Sequence, residues 1–195
     1  MKVAFLIIFS LACNLVNGQF HVEYFGNMGV AISRNDSAIF IDAFHDFYES
    51  QYQPTFPEKL ESVKNRDTPY RYAVVAMVTH YHDDHMDPRV LESVLSAHVS
   101  MKLVAGSQSI DRIDTTIVNS SRLIRVGQER VVKIAPGIFI TAVKTWHVNY
   151  HRAARFANTE NHFFLIEWNG RRFLHLGDTE VVDRNFEAAK MEGND

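Results

Sequence analysis

The chain has 195 residues, of which 46% are hydrophobic and 22% are charged, a globular composition with room for one domain or two very small ones. The formal net charge of −3 comes without a long run of either sign, so the composition gives no support for a nucleic-acid partner or an anionic membrane. One cysteine, Cys13, excludes an intramolecular disulfide and a thiolate zinc site, so a bound metal would need nitrogen and oxygen ligands, which ten histidines could help to supply.

Residues 1–18 have the layout of a secretory signal peptide. Lys2 precedes the apolar run VAFLIIFSLACNLV, and the small residue Gly18 stands directly before Gln19. An uncleaved membrane anchor is the alternative, but about fourteen apolar-dominated residues are shorter than the roughly twenty that span a bilayer. We therefore expect cleavage after Gly18 and a secreted or periplasmic protein whose mature chain has no transmembrane segment.

Short strands dominate the first half of the chain after this segment. The strings HVEYF (21–25), GVAIS (29–33) and AIFID (38–42) alternate or cluster apolar β-formers and predict a meander at one edge of a sheet. A loop and a short helix, EKLESVKN (58–65), follow. The apolar, β-branched run RYAVVAMVT (71–79) then predicts a buried strand.

The second half continues as strands with short helices between them. Asp87 and Pro88 predict an N-cap and the first position of a helix with one apolar face. Asn169 and Gly170 predict a tight hairpin turn. The other predicted elements are the strands MKLVAG, RLIRV, RVVKIA, GIFITAVKT, HFFLIEW and RRFLHL, and the helices SQSIDRI and NFEAAKME.

A cluster of histidines and aspartates follows the buried strand directly. The string THYHDDHMD contains His80, His82, Asp84 and His85. Side chains two residues apart on an extended segment point the same way, so His80 and His82 can approach one cation together. Imidazole and carboxylate groups are suitable zinc ligands, and four within six residues exceed what one tetrahedral ion normally takes from one loop. The spacing therefore favours two adjacent cations over a solvated histidine-rich loop.

The motif H-x-H-x-D-H in this string resembles the signature of the metallo-β-lactamase superfamily. The longer string is most similar to the branch that includes sugar-phosphate lactonases and phospholipase-D-type phosphodiesterases. Three more segments resemble family strands: AIFIDA with Asp42, TAVKTWH with His147, and GRRFLHLGDTE with Asp178. The resemblance covers about residues 22–183 and implies an α+β fold, the four-layer αββα sandwich of that superfamily.

The resemblance also implies a set of metal ligands. His80, His82 and His147 would hold a first metal, Asp84 and His85 a second, and Asp178 would bridge the two. His151, four residues after His147, is the alternative for the third histidine. Asp42 is expected to orient the site rather than to bind metal. One or two zinc ions are expected, and manganese or iron would suit the same donors.

The family places one more histidine of the second metal site on a loop after a further strand. The sequence reaches Asp195 without it, and the last strand and helix of the fold are also missing. We interpret residues 19–195 as a metallo-β-lactamase-like domain truncated at its C-terminus, because a missing strand would leave a sheet edge and apolar surface uncovered. The alternative is a mature chain with an incomplete second metal site.

The resemblance implies a metal-dependent hydrolase, and the signal-peptide pattern predicts that it is secreted. Coordination to a metal lowers the pKa of water to about 7, which gives a hydroxide nucleophile that Asp84 could orient as the catalytic carboxylate. The expected reaction cleaves an ester, lactone, amide or phosphodiester of a small-molecule, lipid or sugar-phosphate substrate, and the oligomeric state is open. The alternative is a degenerate domain that acts as a binding or structural module. A nuclease shares the motif but fits poorly with the export signal and the acidic balance.

Overall fold

The computed structural model describes residues 18–148 and 158–182. Apart from Gly18, the predicted signal peptide lies outside these ranges, as do His151 and the predicted helix NFEAAKME. Within them, no helix combines the length and the apolar character that a membrane crossing requires.

The first sheet has six strands whose order in the sheet follows their order in the chain. They are β1 (His21–Gly26), β2 (Gly29–Arg34), β3 (Ser37–Ile41), β4 (Tyr72–Val78), β5 (Lys102–Ala105) and β6 (Leu123–Arg125). The first three strands form the antiparallel meander predicted from the sequence, and β3 to β6 pair in parallel. The carboxyl ends of the parallel strands therefore meet at one edge of the sheet.

The second sheet is antiparallel and has four strands in the order β10-β9-β8-β7. They are β7 (Glu129–Ala135), β8 (Ile138–Trp146), β9 (Glu160–Trp168) and β10 (Arg171–His175). Asn169 and Gly170 join β9 to β10 with φ angles of +47° and +78°. This positive-φ pair is the two-residue hairpin turn that the sequence predicts.

Three helices connect the strands of the first sheet. They are α1 (Pro57–Lys64), α2 (Pro88–Ala97) and α3 (Ser107–Ile110). The predicted N-cap of α2 is confirmed, since the Asp87 carboxylate accepts hydrogen bonds from the backbone N–H groups of Arg89 and Val90 at 2.8 and 3.2 Å. The cap fixes the point at which the histidine-rich loop ends and the helix begins.

Two hydrophobic cores hold the layers together. One lies between the helices and the first sheet and contains the fully buried side chains of Phe40 and Leu91. The other lies between the two sheets, where Ile39 of β3 faces Ile140 and Phe164 of β8 and β9. Neighbouring residues Ile39 and Phe40 thus point into different cores, as alternation along a strand requires. The described residues form the α, β and β layers of the expected αββα sandwich, and the mixed two-sheet fold is confirmed.

The strand directions bring the candidate site residues to one edge of the molecule. Asp42 follows β3 and His80 lies two residues after the end of β4, at the shared carboxyl edge of the first sheet. In the second sheet, β8 and β10 are both antiparallel to β9 and therefore run the same way. His147 directly follows β8 and Asp178 comes three residues after β10, so both leave the second sheet at the same edge.

Candidate metal centre

Three histidines from two different sheets converge at this edge. The ligand nitrogens of His80, His82 and His147 lie within 4.8 Å of one another. The closest pair, Nε2 of His80 and Nε2 of His147, is 3.3 Å apart. A tetrahedral zinc ion with Zn–N bonds of about 2.0–2.1 Å separates its ligand atoms by about 3.4 Å. The His80–His147 pair therefore has the spacing of two ligands of one cation, and the nitrogen of His82 lies within 4.8 Å of both.

A second group of donors lies beside the first. His85 is almost fully buried, and its Nε2 lies 3.7 Å from Oδ2 of Asp84. Within the described ranges this Nε2 has no hydrogen-bond partner. A buried imidazole nitrogen without a partner is costly, because it has lost the hydrogen bond that water would give it. A cation held by His85 and Asp84 would satisfy it.

Asp178 lies between the two groups. Its Oδ1 is 3.4 Å from Nε2 of His85, and its Oδ2 is 3.5 Å from Nε2 of His147. Gly177, which precedes it, has a φ angle of +54°, and a Cβ at that position would lie 2.6 Å from Cβ of Thr79. The turn therefore requires glycine. One carboxylate oxygen faces each group, which is the arrangement of a bridging ligand.

Asp42 fixes the orientation of the His85 ring. Its carboxylate is fully buried, and Oδ2 lies 2.9 Å from Nδ1 of His85. The backbone N–H and the hydroxyl of Thr79 donate to the same carboxylate at 2.8 and 2.7 Å. With Nδ1 held in this way, Nε2 of His85 points into the site. A carboxylate that accepts from the distal nitrogen of a ligand histidine is a common support for metal binding, and this is the role expected of Asp42.

The other ring nitrogens of two histidines also have acceptors. Nδ1 of His147 lies 2.6 Å from the carbonyl oxygen of Val148, so it carries the proton that donates there. Nδ1 of His80 lies 3.1 Å from the Thr79 hydroxyl. Since that hydroxyl donates to Asp42, we assign the Nδ1 proton of His80 as the donor to Thr79. Both Nε2 atoms then present a lone pair toward the site.

The protein environment keeps two of these imidazoles neutral. Burial, together with the charges of neighbouring imidazoles, lowers the pKa of His80 well below its usual range and that of His82 to about 4. His85 behaves differently: burial opposes its protonation, but the carboxylates of Asp42 and Asp178 outweigh burial and raise its pKa to about 10. At neutral pH, His80 and His82 are therefore ready to bind a cation, whereas His85 must first lose a proton.

The site opens into a cleft of about 850 Å³. Besides four of the candidate ligands, the cleft is lined by three tyrosines, Tyr48, Tyr52 and Tyr81.

Sequence reasoning did not identify Asn27. Its side-chain amide donates to the backbone carbonyl of Asp84 at 2.9 Å and to Oδ2 of Asp84 at 3.2 Å. Asn27 lies in the β1–β2 turn with a φ angle of +39° and is 57 residues from its partner. No local pattern marks such a contact. Thr79 was also missed, although its place between the buried strand and the first motif histidine was a usable signal.

Comparison with known proteins identifies the family. Residues 21–194 match the family described as the β-lactamase superfamily domain. The match covers most of the chain, so the chain belongs to this family, and the fold expected from the sequence is confirmed. The branch of lactonases and phosphodiesterases stays a prediction. No functionally curated protein matches the sequence significantly.

Solved structures of the same fold are similar over most of this chain. A Parabacteroides distasonis protein, whose assignment as a metal-dependent hydrolase is itself provisional, is 17% identical with a TM-score of 0.60; the match covers 85% of this chain and 63% of that one. The metallo hydrolase Igni18 from Ignicoccus hospitalis is 19% identical with a TM-score of 0.55, and the match covers 84% and 62% of the two chains. The diiron β-hydroxylase CmlA from Streptomyces venezuelae is 15% identical with a TM-score of 0.59, covering 90% and 33%. This chain thus spans less than two thirds of the length of each, and the likenesses show the fold alone.

Proposed function

We propose that this protein is a metal-dependent hydrolase with two cation positions that share one carboxylate. The proposed ligands are His80, His82 and His147 for the first position, Asp84 and His85 for the second, and Asp178 as the bridge. The observation that supports this most directly is the set of 3.3–3.7 Å separations between nitrogen and oxygen donors of both groups. Ligands of one cation are spaced in this way, whereas unbound imidazole lone pairs have no reason to face each other. Zinc is the proposed metal, and manganese or iron would suit the same donors.

Divalent cations bound there would supply an ionised water as nucleophile and polarise the bond to be cleaved. The side chains contribute orientation. We propose Asp84 as the catalytic carboxylate, because it lines the cleft and can accept a hydrogen bond from the attacking water. Asn27 restrains Asp84 at both its carbonyl and its carboxylate, so this acceptor would not need to reorient during the reaction.

The proposed substrates are small molecules or lipid- or sugar-phosphate-containing compounds with an ester, lactone, amide or phosphodiester bond. The cleft has space for a compound larger than the bond that is cleaved. The rings of Tyr48 and Tyr52, whose centroids are 5.6 Å apart, offer an apolar wall for its remaining part. We also propose that the protein is exported, on the basis of the signal-peptide pattern at residues 1–18.

The test is a combined measurement of metal content and turnover. The purified full chain should contain zinc, manganese or iron by elemental analysis and should hydrolyse p-nitrophenyl acetate or bis(p-nitrophenyl) phosphate. His82→Ala should lose both properties. His21→Ala is the matched control, because His21 is exposed on β1 and should leave both unchanged. Retention of wild-type metal and turnover by His82→Ala would reject the proposal.

A non-catalytic binding module is the second candidate. Its support comes from the second group of donors. Among the described residues, the imidazole within 4.8 Å of both Asp84 and His85 is that of His80, which is already assigned to the first group, and Asp178 is shared. The second group therefore lacks the further histidine that the resemblance implies. This candidate predicts at most one weakly bound metal and no hydrolysis of either ester. Two tightly bound metals per chain would exclude it.

A further inference from the structure

A concave surface of about 610 Å³ lies at the opposite end of the strands from the metal centre. Arg34 is the last residue of β2, and Arg171 and Arg172 are the first two of β10. The five-residue strands β3 and β10 separate these ends from Asp42 and Asp178. At about 3.3 Å per residue, this separation is roughly 17 Å. The surface is therefore distinct from the catalytic cleft, and we call it the arginine pocket.

The arginine pocket is lined by three guanidinium groups and two phenylalanine rings. Its described lining includes Arg34, Arg171 and Arg172 but no aspartate or glutamate. Three positive charges in one concavity contrast with the chain's formal net charge of −3. Phe20 and Phe173 also line the pocket, and the centroids of their rings are 5.3 Å apart. A pocket with this charge attracts an anion, and the rings offer contact to an apolar group attached to it.

Arg34 is held in place before any ligand arrives. Its guanidinium carbon lies 4.9 Å from the centroid of the Phe20 ring, a contact that the expected cleavage after Gly18 leaves in place. Phe20 itself packs edge-on against Trp168 of β9, with centroids 5.1 Å apart. A guanidinium stacked on a fixed ring loses little freedom on binding, which favours a planar, bidentate contact with an oxyanion.

Arg171 and Arg172 lie at the β9–β10 turn, which is fixed by the Asn169-Gly170 pair. Oε1 of Glu167 is 3.8 Å from Nε of Arg172, and both side chains are about half exposed. A surface pair at this distance is weak and screened by water, so it competes little with a ligand. Arg172 therefore retains most of its capacity to bind an anion.

We propose that the arginine pocket is a binding site for a tetrahedral oxyanion, a phosphate or sulfate group, either free or carried on an organic compound. Guanidinium groups match the geometry of such oxygens better than that of a spherical ion. Because the pocket is remote from the cleft, its occupancy does not depend on metal at the centre. The proposal therefore stands or falls separately from the proposed hydrolase function.

The experiment is an NMR titration of the full chain that follows the Nε–H resonances of the three arginines. The probes are inorganic phosphate for the free ion and phenylphosphonate for a carried oxyanion, which has no ester bond to hydrolyse. Both should shift these resonances saturably, while sodium chloride at equal ionic strength should not. Tighter binding of phenylphosphonate identifies an organic ligand, and tighter binding of phosphate identifies the free ion.

The variant Arg171→Gln/Arg172→Gln should weaken the binding of both probes at least tenfold. Lys64→Gln/Arg89→Gln is the matched control, because it removes the same charge from the exposed helix layer and should keep wild-type affinity. The proposal is overturned if chloride gives the same shifts, if neither probe moves the three resonances, or if the pocket variant binds as the wild type does. If the variant does not fold, the response of the wild-type arginine resonances to phosphate, phenylphosphonate and chloride still tests the proposal.

Discussion

Asp42 shows how much of the metal centre depends on one side chain that does not line the cleft. It is fully buried, yet it accepts hydrogen bonds from His85 and twice from Thr79. These bonds offset the cost of burying the charge, and they turn the His85 ring so that Nε2 faces Asp84 and Asp178. The position after β3, where φ is +47°, makes this approach possible.

Asp42→Asn should weaken the metal affinity of the second group by about 10- to 100-fold, because an amide cannot accept from all three donors. The affinity is measured by competition with a chelator. Asp36→Asn is the control, since Asp36 lies in the β2–β3 turn and pairs only loosely with Arg71, at 3.7 Å. Unchanged affinity in Asp42→Asn would show that Asp42 does not orient the site.

His98 makes the fold sensitive to acid independently of metal. Its Nε2 donates to the carbonyl oxygen of Val63 at 2.7 Å. Burial lowers its pKa below the usual 6.5, and the positive charges of Arg66 and Arg122 act in the same direction, against the opposing effect of the Val63 bond. The unfolded chain therefore binds the proton more readily. This contribution to stability is fully present above about pH 6.5 and is lost as the pH falls below it.

His98→Gln should therefore lose less stability than the wild type between pH 7 and pH 5. Glutamine does not titrate, and its amide can still donate to Val63. The measurement is urea unfolding at both pH values with a chelator present, so that metal loss does not contribute. His21→Gln, at an exposed position, should show the wild-type difference. If His98→Gln and wild type lose the same free energy of unfolding, His98 does not contribute to acid sensitivity.

At the scale of the element, a buried cluster of polar side chains connects the turn after β10 to β8 and β9 by hydrogen bonds. The amide of Asn161 on β9 donates to the hydroxyls of Thr145 on β8 and Thr179 at 2.8 and 2.9 Å. Thr179 directly follows Asp178, and the backbone carbonyl of Asp178 accepts from Val148 N–H at 2.7 Å. The carboxylate of Asp178 is thus placed by strand pairing and by this cluster together.

Thr179→Val should displace Asp178 and reduce the number of metals bound per chain, while Thr179→Ser should bind as the wild type does. Valine has the size of threonine but removes one of the two acceptors of the buried Asn161 amide and leaves only the Thr145 hydroxyl, at a cost of about 1–3 kcal/mol. Elemental analysis gives the metal content, and denaturant unfolding gives the stability. Equal metal content in the valine and serine variants would contradict the positioning role.

The start of α2 provides a test of local structure. Asp87→Ala removes the acceptor for two backbone N–H groups of the first turn and should lower the free energy of unfolding by about 0.5–2 kcal/mol. Asp87→Asn keeps a capping oxygen and should stay close to the wild type. Guanidinium unfolding measures both. A loss in Asp87→Asn as large as in Asp87→Ala would show that charge, rather than capping, stabilises this end.

For the whole molecule, the sequence was informative where the signal is local. Alternating or clustered apolar β-formers predicted the strands, Asp87 with Pro88 predicted the start of α2, and Asn169 with Gly170 predicted the hairpin. Each of these depends on residues within a few positions of one another. The family resemblance then supplied the expectation that His147 and Asp178 lie close to the motif histidines. In the structure, Nε2 of His147 lies 3.3 Å from Nε2 of His80 and 3.5 Å from Oδ2 of Asp178.

Contacts between distant elements could not be predicted in this way. The bond from Asn27 to Asp84 depends on how the β1–β2 turn lies against the motif loop, 57 residues away. The cluster around Asn161 depends on the register of β8 against β9, which pairs Thr145 with Asn161. The arginine pocket likewise exists only because two strand ends come together. Such proximity is set by tertiary packing, which strand propensity does not encode.

The most direct test of the account is anomalous X-ray diffraction from crystals of the full chain grown with zinc, recorded above and below the zinc absorption edge. The account predicts two anomalous peaks about 3.5–4 Å apart. One peak should lie among the nitrogens of His80, His82 and His147, and the other beside Asp84 and His85, with a carboxylate oxygen of Asp178 near each. An absence of peaks at these nitrogens, with zinc bound only at surface positions, would contradict the central claim.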